Sequence, residues 1–163
     1  QWNFLWVVDF PLMSYDEAIR LQPNHANIRN NRGIAERMAG NPERAIADFT
    51  MAIEIDPEFA PAYSNRGSVH AEQANFEAAV ADHTRAIELD AHLASAYNGR
   101  GIAYRALGQT DLAVADFNEA IRINARYVEA YRNRARTLAS MGETDLARAD
   151  EDEADRLIAS AGR

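Results

Sequence analysis

A short run of residues recurs along this chain at a fixed step of 34: Asn31-Arg32-Gly33, Asn65-Arg66-Gly67 and Asn133-Arg134-Ala135, with Gly101 completing the series. A period of that length constrains a fold more than any local pattern, because every copy must build the same supersecondary unit and bury its apolar face on its neighbours. With repeat positions counted from Ala26, Ala60, Ala94 and Val128, position 8 is Gly33, Gly67, Gly101 and Ala135, and position 20 is Ala45, Ala79, Ala113 and Ala147. Position 27 is Ala52, Ala86, Ala120 and Ala154, while position 24 carries Phe49, His83, Phe117 and Glu151. Small residues at positions 8, 20 and 27 let two helices approach closely, and the ring at position 24 fills the space that remains.

Each repeat is therefore expected to be a helix A over positions 1 to 14, a short turn, and a helix B. The turns fall at Gly40-Asn41-Pro42, Ala74-Asn75, Gly108-Gln109 and Gly142-Glu143. Asn41 followed by Pro42 suits a helix start, Thr110 and Thr144 are candidate caps for later B helices, and Asp56-Pro57 ends the first one. The domain boundaries follow from the frame: an apolar arm at 1–13, helix B of a truncated leading repeat at 14–25, then repeats at 26–59, 60–93, 94–127 and 128–161. Ser14-Tyr15-Asp16-Glu17 has capping-box spacing for the leading helix. In the last helix, Asp145 to Ser160, Glu151 and Asp155 replace apolar residues, as a solvated terminal face requires.

Composition narrows the function. With 17 Lys plus Arg against 25 Asp plus Glu, the net charge is −8, which disfavours nucleic acid and anionic membrane as partners. Cysteine is absent, which removes disulfides and thiolate metal sites and fits a reducing, cytoplasmic setting. The apolar cluster from Trp2 to Phe10 carries Asp9 and runs into Pro11, so it reads as neither signal peptide nor membrane span.

The pattern of Tyr, Gly, Ala, Phe, Ala and Pro positions over 34 residues resembles the tetratricopeptide repeat family across residues 14–161. It departs from that family in carrying Arg rather than Leu at position 7 of all four repeats, and in keeping the position-32 proline only as Pro57. The resemblance implies an all-α, right-handed α-solenoid that acts as a non-enzymatic scaffold for a protein or peptide partner. Separately, residues 4–12 resemble a segment of bacterial aspartyl-tRNA synthetases, too little for an aminoacylation site. Trp2, Phe4, Trp6, Val8 and Phe10 are expected to cover the flank of the first helices, or to serve as a docking or dimer-forming arm.

Arg32, Arg66, Arg100 and Arg134 at position 7 are each followed sixteen residues later by Asp48, Asp82, Asp116 and Asp150, and these read as helix A to helix B ion pairs. His70 and His83 alone among the four histidines could meet, which is two ligands and too few for a metal; a packed imidazole pair is the expectation. No catalytic constellation and no cofactor motif is present.

In the family resembled, helix A lines the concave surface with positions 2, 5, 6, 9, 12 and 13. Here that lining includes Asn30, Asn31, Arg37, Asn65, Asn98, Arg105, Arg132, Asn133 and Arg136. Asparagines offer a donor and an acceptor to the backbone of an extended peptide, and the arginines favour its carboxylates. The row at position 6 is similar to the asparagine ladder of O-linked N-acetylglucosamine transferases, interrupted by Gly99. Of the carboxylate clamp that grips chaperone tails only Asn65 fits, so that mode is not expected. The alternative function is a self-assembling module whose ends and arm mediate oligomerisation, with the groove unused.

Overall fold

A computed structural model of the chain describes residues 14–161, and the predicted arm at 1–13, with its resemblance at 4–12, lies outside the described residues. After a leading helix α1 at 14–21, the order is α2 (Ala26–Met38), α3 (Pro42–Ile55), α4 (Ala60–Glu72), α5 (Phe76–Leu89), α6 (Ala94–Ala106), α7 (Thr110–Ile123), α8 (Val128–Ser140) and α9 (Thr144–Ala161). Among the described residues there is no strand. The fold is an all-α solenoid of tandem helical hairpins.

The A helices are 13 residues long, one shorter than the periodicity suggests. Their ends are set by turns in which the next backbone must cross to left-handed φ: Gly40 at 80°, Gly108 at 75° and Gly142 at 87°. Ala74 makes the same turn at φ 59° despite its side chain. The N–H groups of Asn41, Asn75, Gln109 and Glu143 then each donate to the carbonyl five residues back, closing the helix end. Thr110 and Thr144 are the first residues of their helices rather than caps. Gln109 occupies the cap of α7 without a side-chain bond. Glu17 of the expected capping box gives its carboxylate to Arg20.

Within each hairpin the position-20 and position-27 alanines are buried; Ala45, Ala79, Ala113, Ala52, Ala86 and Ala120 are all 0% exposed. Glycine at position 8 is a steric demand of the aromatic at position 24. A Cβ on Gly33 would stand 2.7 Å from the Phe49 ring, and one on Gly101 2.7 Å from Phe117. The fourth repeat tolerates Ala135 because Glu151, which is exposed, replaces the ring.

Each hairpin packs on the next, and the A helices also touch one another in succession, α2 to α4, α4 to α6 and α6 to α8. They therefore line one face of the solenoid together.

Candidate functional site: the face lined by the A helices

Two of the asparagines on this face are tied to two others. Asn65 donates from Nδ2 to Oδ1 of Asn30 at 2.8 Å, and Asn133 donates to Asn98 at 3.0 Å, in each case across 35 residues from position 6 of one repeat to position 5 of the repeat before. Asn30, Asn98 and Asn133 are buried, whereas Asn31 is exposed. A carboxamide has four hydrogen-bonding sites, so each pair retains donors and acceptors that the bond between its members does not use. Between the second and third repeats the same two positions hold Ser64 and Gly99, and no amide pair forms there.

The arginines divide into two groups. Arg37 is held by Glu72 at 2.5 Å, and Arg132 by Asp155 at 3.2 Å with Glu151 at 4.0 Å. Arg105 and Arg136 have no carboxylate within 4.0 Å among the described residues. Arg105 reaches the carbonyl of Asn133 at 3.5 Å and Arg136 its Oδ1 at 3.4 Å. Burial, and then the neighbouring charge of Arg136, lower the pKa of Arg105 from its ordinary value. Two guanidinium groups therefore share one stretch of this face without a counter-charge within 4.0 Å among the described residues.

The position-7 arginines point the other way, into the hairpins. Arg32, Arg66, Arg100 and Arg134 each make two parallel bonds, from Nε and Nη2, to Asp48, Asp82, Asp116 and Asp150, at 2.5–2.8 Å. The remaining Nη1 bonds backwards to position 25 of the preceding repeat: Asp16 at 2.6 Å, Thr50 at 3.1 Å, Thr84 at 3.1 Å and Asn118 at 2.6 Å. That second set is invisible in a search for charge patterns, because the four residues share only an oxygen acceptor. Arg66, Arg100 and Arg134 also stack over Tyr63, Tyr97 and Tyr131 at 5.6–5.8 Å.

The expected imidazole pair takes a different form. His70 stands 3.9 Å from Asp82, while His83 is fully buried between Gly67 and Gly99. Neither ring nitrogen of His83 has a hydrogen-bond partner, a defect worth roughly 1–3 kcal/mol for a buried polar group. Burial foremost, with Arg100 adding and Asp82 opposing, lowers its pKa to about 4. The ring is therefore neutral at pH 7. Above it lies an open-mouthed cavity of ≈ 360 Å³ lined by Ser68, Ser95, Asn98, Gly99 and Tyr127, with Arg37 and Glu72 also on its wall. Among the described residues no three His, Asp or Glu side chains converge as metal ligands would, and no helix is long and apolar enough to cross a membrane.

Family models of the tetratricopeptide repeat match residues 26–59, 58–126 and 98–161, together spanning the four hairpins. The chain belongs to the tetratricopeptide repeat family, whose members are generally non-enzymatic scaffolds for protein interaction. A search of curated protein sequences finds no match. Among solved structures, the crystal structure of MamA aligns with a TM-score of 0.79 at 24% identity, covering 93% of this chain and 88% of that one. The first tetratricopeptide domain of Spaghetti (RPAP3) bound to the HSP90 peptide SRMEEVD aligns at 0.69 with 23% identity, covering 72% of this chain and 93% of that one. The tetratricopeptide domain of Arabidopsis OM64 aligns at 0.68 with 26% identity, covering 71% and 95%.

Proposed function

We propose that the face lined by α2, α4, α6 and α8 binds an extended, acidic segment of a partner protein. The observation that carries this reading is the pair Arg105 and Arg136, two cations with no carboxylate partner among the described residues of a chain whose net charge is −8. A carboxylate or two from a partner would relieve their repulsion and accept their donors. The paired asparagines Asn30 with Asn65 and Asn98 with Asn133 offer their remaining donors and acceptors to the partner's backbone. Arg37 and Arg132, already held by carboxylates, contribute less. Asn31, exposed at the first repeat, is available to the far end of a bound segment. The Spaghetti domain, similar in fold, is bound to a peptide containing two consecutive glutamates.

The test is an array of nonapeptides of graded charge, probed with the full chain at low and moderate salt. Acidic peptides are expected to bind, more weakly as salt screens the arginines, and Arg105→Glu with Arg136→Glu is expected to abolish the preference. Selection of basic or purely apolar peptides, unchanged in that variant, would refute the reading. The self-assembly alternative rests on the arm at 1–13. A concentration-dependent mass lost on deleting those residues would favour it.

A further inference from the structure

Three departures from the repeat pattern coincide at one junction. Where position 24 is Phe49 or Phe117, its own repeat carries Asn30 or Asn98 at position 5 and the next carries Asn65 or Asn133 at position 6. Where position 24 is His83, those two positions are Ser64 and Gly99. Two of the three changes are sterically coupled: a Cβ on Gly99 would stand 2.4 Å from Cε1 and Nε2 of His83, so the imidazole fits only because the next repeat gives up its asparagine. The amide pair that closes the other two junctions is replaced by a ≈ 360 Å³ cavity, near the lower end of the roughly 300–1,000 Å³ typical of ligand pockets.

The cavity has a definite chemistry. Its floor is a fully buried imidazole with neither nitrogen paired, its Nε2 edge directed at Gly99. A neutral imidazole carries an N–H on one nitrogen and a lone pair on the other, and a carboxamide can accept from the first or donate to the second, whichever faces it. Ser95 and Tyr127 add hydroxyls, and among the described residues the only charges on the wall, Arg37 and Glu72, neutralise each other. An ionised group entering here would meet no counter-charge, and an apolar one would leave His83 unpaired.

We propose that the junction of the second and third repeats is a side-chain subsite of the groove, taking one uncharged carboxamide, an asparagine or glutamine of the bound segment, with His83 as its hydrogen-bonding floor. This deepens the groove reading and rests on it. The acidic residues of the segment engage Arg105 and Arg136, and the carboxamide sets the register.

The test is a positional scan of acidic nonapeptides, each position in turn carrying Asn, Gln, Leu or Asp, with binding to the full chain read by fluorescence anisotropy. At one position Asn or Gln is expected to exceed Leu and Asp by about tenfold, as for a site whose buried polar group is otherwise unpaired. His83→Phe removes the imidazole alone, and His83→Phe with Gly99→Asn and Ser64→Asn rebuilds the arrangement already present at the other junctions. Both are expected to keep the helical content and acidic-peptide binding while erasing the carboxamide preference. Acidic peptides that bind with no carboxamide preference, or a preference that survives both variants, overturn the subsite and leave the groove standing. Failure of every peptide to bind overturns both.

Discussion

Arg66 bonds to Asp82, sixteen residues downstream, with Nε and Nη2, and to Thr50, sixteen residues upstream, with Nη1. One guanidinium thus joins the two helices of its own repeat and ties them to the repeat before. The same construction at Arg32, Arg100 and Arg134 makes a row of partly buried ion pairs that also acts as the inter-repeat fastening. It explains why arginine stands where the family usually has leucine: the planar fork satisfies three acceptors at fixed angles, which neither leucine nor lysine can do.

Removing one such arginine leaves an aspartate that is nearly inaccessible. Arg100→Leu is expected to destabilise the array by roughly 3 kcal/mol, since Asp116 is only 5% exposed and would lose its counter-charge. Arg100→Leu combined with Asp116→Leu is expected to recover most of that loss. Urea unfolding of both variants checks this, and equal destabilisation in the two would show that the charge was not the cause.

Among the described residues, Ala74 is the one left-handed turn made without glycine. Ala74→Gly removes a side-chain clash at φ 59° and is expected to stabilise the chain by about 1 kcal/mol. A lower melting temperature for the variant would contradict the turn geometry.

The position-20 alanines Ala79 and Ala113 are fully buried, with no room beside them for a larger side chain. Ala79→Leu or Ala113→Leu is expected to cost about 1–3 kcal/mol by overpacking. Unchanged melting of both would mean that the hairpin contact lies elsewhere.

His83 makes the second repeat acid-sensitive. Its folded pKa of about 4 lies below the ordinary 6.5, so the unfolded chain binds the proton first, and the stability present above pH 6.5 is lost as pH falls toward 4. The charged groups around it are Asp82 on its own helix and Arg100 on α6, with His70 of α4 standing against Asp82. At pH 5 the loss relative to pH 7 is roughly 2 kcal/mol, and His83→Phe is expected to abolish that share of it. Identical pH profiles for native chain and variant would contradict burial of a neutral ring.

Much of this was legible from periodicity. The step of 34 sets the hairpins, and the coincidence of Gly33 and Gly101 with Phe49 and Phe117 encodes the close helix contact. The offset of sixteen between arginine and aspartate is a sequence feature too. Less accessible were contacts that cross between repeats. The reach of Arg66 to Thr50 joins unlike residues, and the bond from Asn65 to Asn30 depends on how one A helix leans on the next. Asparagines that read singly as backbone binders are partly occupied by one another. The role of Gly99 emerged only with the orientation of His83, since an interruption in a row says nothing of what fills the gap.

Chemical-shift mapping of the isotopically labelled chain, titrated with an acidic nonapeptide selected from the array, shows whether the partner lies along the A helices. Shifts are expected to concentrate on α4, α6 and α8, at Asn65, Asn98, Arg105, Asn133 and Arg136. Shifts confined to the outward faces of α5 and α7, with those residues unmoved, would contradict it.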